Sequence, residues 1–275
     1  MCANARNDFD RYRIRPGSKV DLDRIEADET AAFDGGKEAA QAVFERLNDR
    51  LEELQELLWA RQKEKILVVL QGMDTAGKDG VIRHVFDGVN PAGVRVASFK
   101  VPTAEELARD FLWRVHARVP GAGEMVIFNR SHYEDVLVPV VNGWIDAGET
   151  KRRYAQINDF ERMLTETGTI VAKFMLHISK DEQRERLQQR LDDPAKRWKF
   201  ALGDLDVRNQ WDAYRAAYQQ AIAATGTRWA PWTIVPADSK LHRNLMIASV
   251  LKELLLGLKL RYPTGDHSLE GVRVD

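Results

Sequence analysis

Short, wholly apolar runs alternate along this chain with longer stretches in which apolar residues return every three or four positions. Residues 66–70, Ile-Leu-Val-Val-Leu, form a continuous apolar run rich in β-branched side chains, the pattern of a strand buried on both faces. Residues 94–99, 125–128, 169–178 and 232–236 read as four further strands. Residues 37–63 carry Ala39, Val43, Leu47, Leu51, Leu54 and Leu58 at helical spacing, which predicts a long amphipathic helix. A helix is expected over residues 79–86, with Val81, Ile82, Val85 and Phe86 on one side. Thr103 and Glu106 form a capping box that opens another, with a buried stripe of Leu107, Phe111, Val115 and Val119. The next is marked by Tyr154, Ile157, Phe160 and Leu164, and Ser179 with Glu182 gives a second capping box. Trp211, Tyr214, Tyr218 and Ile222 define one more, and Asp238 is expected to cap a last helix bearing Leu241, Leu245, Val250, Leu254 and Leu258. Strand and helix thus alternate five times, which predicts an α/β fold with a five-stranded parallel sheet covered on both faces.

The join between the first strand and its helix carries chemistry. Gly72-Met73-Asp74-Thr75-Ala76-Gly77-Lys78 has the spacing G-x-x-x-x-G-K of a phosphate-binding loop, with the strand before it and the helix after it that such a loop requires. The two glycines allow successive backbone N–H groups to turn inward, and together with the helix N-terminus they make a positive concavity for phosphate oxygens. Lys78 adds a full charge. Asp79 stands where Ser or Thr usually holds magnesium, and Asp74 is a second carboxylate inside the loop. Two acids beside a phosphate site would repel the ligand unless a cation lay between them, which points to a divalent metal near Asp74.

Composition narrows the setting. The 275 residues are 44% hydrophobic with a net charge of −1, enough for a sizeable core and too balanced for a general polyanion-binding surface. A single cysteine, Cys2, excludes an internal disulfide, and no stretch reads as a signal peptide or a membrane span, so a cytoplasmic protein is expected. His84, His116, His132 and His177 lack the spacing of a zinc site. No linker divides the chain. The expected organisation is an N-terminal arm over residues 1–35, packed on the domain rather than reaching for a ligand, one domain over 36–262 and a polar tail over 263–275.

Two further groups fall where ligands bind. Asn129-Arg130-Ser131-His132-Tyr133-Glu134-Asp135 follows the third strand directly, on the same sheet edge as the phosphate loop. Arg186 and Arg190 lie four apart on one helix face, and Lys196 and Lys199 follow the break at Pro194. These four cations suit a lid at about 180–203 that would exclude water from a phosphoryl transfer. The competing reading is a solvated helix whose charges pair with Asp181, Glu182 and Glu185.

The loop, Asn90-Pro91, Ser98-Phe99-Lys100, Phe128-Asn129-Arg130-Ser131, Tyr133-Glu134-Asp135, Arg190-Leu191-Asp192-Asp193-Pro194 and Trp198-Lys199-Phe200 together resemble the polyphosphate kinase 2 family over roughly residues 10–262. The resemblance implies a P-loop kinase-like three-layer α/β/α fold with a helical lid. It implies magnesium-dependent, reversible phosphoryl transfer from inorganic polyphosphate to AMP and ADP, with manganese as an alternative metal. On that footing Asp74, Lys78 and Arg130 are the catalytic candidates, and Asp74 is also the metal candidate. Gly72, Met73, Thr75, Ala76, Gly77, Asp79 and Lys100 would bind phosphates, and Asn129, Glu134 and Asp135 would serve the nucleotide or the metal. Expected partners are polyphosphate and adenine or guanine nucleotides, with neither nucleic acid nor membrane, in a homo-oligomer. An ATP-dependent nucleoside monophosphate kinase and a phosphate-binding regulator without chemistry are the rival readings.

Overall fold

Ile66 to Leu70 have no exposed surface, so the first predicted strand lies at the centre of the molecule. In the computed structural model, which describes residues 8–33, 35–264 and 272–274, it is β1 (Lys65–Gly72). It pairs in parallel on one side with β3 (Met125–Asn129) and on the other with β4 (Thr169–His177). The edges are β2 (Val94–Ser98) beside β3 and β5 (Trp232–Pro236) beside β4. The order β2-β3-β1-β4-β5 and the uniformly parallel pairing give the expected five-stranded sheet.

The helices fill two layers. Helix α1 (Lys37–Arg61) packs on α10 (Lys240–Gly257), which also meets α2 (Lys78–Val85). The start of α1 is turned from the expected stripe, because Ala40 and Phe44 are buried instead of Ala39 and Val43. Residues 103–119 do not form one helix. The capping box of Thr103 and Glu106 is present, but α3 (Ala104–Leu107) lasts one turn and Leu107 is 70% exposed. Asp110 ends it by accepting from the Leu112 N–H at 3.0 Å, a local alternative to helical bonding. A second single turn, α4 (Trp113–His116), then buries Val115.

Helix α5 (Glu134–Val141) adds to the expected elements, and it forms although Pro139 and its β-branched neighbours disfavour a helix. Pro139 cannot donate to the Asp135 carbonyl. Arg153 supplies that bond instead, from Nη1 at 2.8 Å. Helix α6 (Ala147–Glu166) follows. In α7 (Lys180–Asp192) the second capping box is half made: Ser179 accepts from the Glu182 N–H, but the Glu182 carboxylate turns to Arg186 at 2.7 Å. The Ser179 N–H is satisfied by Asp238 at 2.9 Å, and this is why Ser239, not Asp238, caps α10. Helices α8 (Gly203–Asn209) and α9 (Trp211–Thr225) complete the second layer, where α9 packs on α5 and α6. Tyr12 and Leu22 enter the core, and Arg13 bridges Thr233 at the β5 edge. Cys2 and residues 265–271 of the tail lie outside the described residues. No helix among the described residues is long and apolar enough to cross a membrane.

Candidate active site at the carboxyl edge of the sheet

The phosphate loop leaves the end of β1 and enters α2 at Lys78. Gly72 has φ +150°, and a Cβ there would approach the Leu176 carbonyl oxygen to 2.6 Å. Gly77 has φ +104°, and a Cβ there would run into the Arg243 guanidinium. Both positions therefore require glycine. Thr75 holds φ +65°, a strained value for a β-branched residue. The Gly72 N–H is held by the Tyr218 hydroxyl at 3.2 Å.

Lys78 is buried and reaches back over the loop, donating to the carbonyls of Gly72 at 2.7 Å and Met73 at 3.2 Å. Burial, with the like charge of Arg130, lowers its pKa, while Asp74, Glu134 and Asp79 act in the opposite sense. Arg130 leaves β3 with φ +62° and pairs with Asp74 at 2.5 Å and with Glu134 at 3.6 Å. Burial opposes the Arg130 charge, but these carboxylates outweigh it and raise its pKa. The Asn129 amide donates to Asp79 at 2.7 Å. The loop and the segment after β3, remote in sequence, thus meet side chain to side chain.

Glu134 is held by Gln71, whose amide nitrogen, oriented to satisfy both neighbours, lies 3.1 Å from the carboxylate while its oxygen accepts from Ser131. Burial raises the Glu134 pKa in spite of Arg130 and Lys78. A carboxyl with a raised folded value binds its proton more readily in the folded protein than in the unfolded chain. Its contribution is therefore present at low pH and is lost as pH rises through the folded pKa. Glu134→Gln is accordingly expected to melt a few degrees above the parent at pH 8 and to transfer phosphoryl groups more slowly. An unchanged or lower Tm would contradict the dominance of burial at this site.

Asp135 points the other way. It pairs with Arg114 at 3.0 Å and joins a cleft of about 930 Å³ lined by Lys100, Phe111, Leu112, Arg130, Glu134, Val138, Pro139 and Trp144, among others. Lys100 lies on the wall of this cleft. The four cations read as a lid separate. Arg186 is buried and bonded to the carbonyls of Thr75, Ala237 and Asp238. Arg190 meets Asp204 at 3.7 Å and donates to the Lys199 carbonyl, and Asp204 itself feels the charges of Asp74 and Arg130. Lys196 is exposed and paired with Asp193, and Lys199 is exposed beside Trp198.

The family model for polyphosphate kinase 2 matches residues 35–261 of this chain. The chain belongs to the polyphosphate kinase 2 family. It is 55% identical over 265 residues to an AMP/ADP-polyphosphate phosphotransferase of Meiothermus ruber, a match spanning 96% of this chain and 99% of the relative. It is 41% identical to an ADP-polyphosphate phosphotransferase of Rhodopseudomonas palustris, over 92% of this chain and 91% of that one. The crystal structure of polyphosphate kinase 2 from Arthrobacter aurescens TC1 superposes with a TM-score of 0.93 at 44% identity, covering 97% of this chain and 95% of the other. Membership of the polyphosphate kinase 2 family makes this chain a phosphotransferase with a P-loop kinase-like fold.

Kinases of this kind work with a divalent metal. Among the described residues there is no ready-made group of three His, Cys, Asp or Glu ligands. Magnesium is commonly held by one or two carboxylates, water and the substrate's own phosphates. Asp74 and Asp79, the carboxylates carried by the loop and its helix, would be the ones to hold such an ion. Gln183, Tyr218 and Arg243 contact the loop from distant parts of the chain and carry no local sequence signal.

Proposed function

We propose that this protein transfers a phosphoryl group between inorganic polyphosphate and the adenine nucleotides AMP and ADP, with magnesium. The observation that carries this reading is the position of Arg130, which pairs with Asp74 of the phosphate loop and also lines the adjoining cleft. A phosphoryl group passing from a donor on the loop to an acceptor in the cleft would travel past that guanidinium. Among the relatives it resembles, the Meiothermus ruber enzyme has a name that gives both AMP and ADP, which supports this reading.

The residues divide the work. The loop amides and Lys78 hold phosphate oxygens. Arg130 neutralises charge on the moving group, and Asp74 and Glu134 hold that guanidinium in place. Phe111, Leu112, Val138, Pro139 and Trp144 offer an apolar wall to the nucleoside, with Lys100 at its rim. Magnesium at Asp74 would draw charge from the phosphate oxygens. The Arg190–Asp204 pair, with the exposed segment bearing Lys196 and Lys199, is the cover that keeps water from the donor.

Pure protein mixed with AMP, long-chain polyphosphate and magnesium is expected to yield ADP and then ATP. No product over a full range of magnesium and manganese concentrations would overturn the reading. Phosphorylation of AMP with ATP but not with polyphosphate would favour the nucleoside monophosphate kinase instead.

A further inference from the structure

Three consecutive carbonyls of the phosphate loop are each gripped by a buried side chain. Gln183 Nε2 donates to the Asp74 carbonyl at 3.2 Å, Arg186 Nη1 to that of Thr75 at 2.9 Å, and Arg243 Nη1 to that of Ala76 at 3.2 Å. The three residues are 0%, 6% and 2% exposed. Two come from α7 and one from α10, so the loop is held from two separate elements.

The arrangement is costly, and the cost is informative. Arg243 has no carboxylate partner among the described residues. Its other donors, Nε and Nη2, are spent on the Asn244 side-chain oxygen. Burial and the like charge of Arg186 push its pKa down to about 9. A buried guanidinium without a counter-ion is a poor way to stabilise a core. Arg186 has one carboxylate, Glu182, and otherwise only carbonyls.

Geometry supplies the use. A trans peptide fixes its N–H opposite its C=O. Pinning the Asp74, Thr75 and Ala76 carbonyls therefore turns the N–H groups of Thr75, Ala76 and Gly77 away from the clamp. The Ala76 N–H closes the loop's own turn on the Met73 carbonyl at 3.1 Å, which leaves those of Thr75 and Gly77 for a ligand. The same grips hold Thr75 in its left-handed conformation, which an L residue adopts only at a cost.

We propose that Gln183, Arg186 and Arg243 are positioning residues, a three-point carbonyl clamp that presets the amide nest of the phosphate loop before substrate arrives. The proposal rests on the loop being the phosphate site. Presetting removes the reorganisation that a slack loop would undergo on binding, and it acts in the transition state as well as the ground state.

Gln183 allows a clean test, because its Oε1 accepts from Arg208 Nη1 at 3.0 Å. Gln183→Glu keeps and strengthens that contact while removing the donor to Asp74. Gln183→Met removes the donor without adding charge. Both are expected to lower kcat by about tenfold, in line with the sensitivity of transfer to ångström-scale misplacement. Both should also weaken calorimetric binding of tripolyphosphate, measured per folded molecule. Arg243→Lys, which can still donate to Ala76, is expected to recover part of the activity lost in Arg243→Met. Parent-like kcat and tripolyphosphate affinity in Gln183→Met, or equal defects per folded molecule in the two Arg243 variants, would overturn the clamp. A parent that binds tripolyphosphate but turns nothing over would overturn the functional reading instead, and the binding measurements would still decide the clamp.

Discussion

Lys78→Met is expected to lower kcat by ~10²–10³-fold, the usual loss when one preorganised donor to a charged transition state is removed. The methionine keeps most of the buried hydrocarbon, so packing is retained. The carbonyls of Gly72 and Met73 lose a donor, which costs about 1 kcal/mol each. Against this, burial lowers the Lys78 pKa, so the folded protein holds this charge at a penalty that the variant no longer bears. The melting temperature should therefore move little while turnover collapses. The lowered pKa has a second consequence in the parent. The protonated lysine is lost below the ordinary lysine value, so the alkaline limb of kcat/KM should fall earlier than an exposed lysine would give. Turnover within tenfold of the parent, measured with AMP, polyphosphate and magnesium, would take Lys78 out of the reaction.

What could be read from residues alone follows a physical division. The two central strands β1 and β3 were legible because a strand buried on both faces is apolar at every position, so Ile66–Leu70 and Met125–Phe128 stand out as unbroken runs. The loop was legible because its glycines are demanded by backbone angles and fall close together in sequence. Residues 103–119 misled, because one Asp110 side chain diverts the backbone without disturbing the apolar spacing. Helix α5 escaped, because the bond that Pro139 cannot make is supplied by Arg153 from the next helix. The same holds for Arg186. Its spacing from Arg190 fixes a helix face, but only the fold shows that this face meets the loop's carbonyls rather than solvent. Gln183, Tyr218 and Arg243 approach the loop from over a hundred residues away, and no local pattern announces them.

Lys173→Met is the substitution expected to harm stability most. Lys173 Nζ places its three hydrogen bonds on Glu161 at 2.6 Å, the Tyr133 hydroxyl at 2.9 Å and the Thr225 carbonyl at 2.8 Å. Lys173, Glu161 and Tyr133 are all at most 1% exposed. Removing the lysine strands a buried carboxylate whose remaining neighbours are Tyr133 and His132, a loss of roughly 3–5 kcal/mol. In a chain of this size that lowers Tm on the order of 10 °C. The sign of the pH dependence identifies the cause. Burial alone would raise the Glu161 pKa, but Lys173 and His132 outweigh it and hold it low. In the parent, Glu161 therefore contributes stability above the unfolded carboxylate value, and this is lost as pH falls through the lowered folded value. Without the lysine, burial takes over and the folded pKa rises, so the variant should gain Tm between pH 8 and pH 5.5 relative to the parent. Lys173→Met combined with Glu161→Leu should recover much of the loss, because a neutral pair leaves no charge uncompensated. Tyr133 lies in the segment that carries Arg130 and Glu134. A single variant that melts like the parent, or whose deficit does not narrow on acidification, would show that this pair does not anchor the floor beneath them.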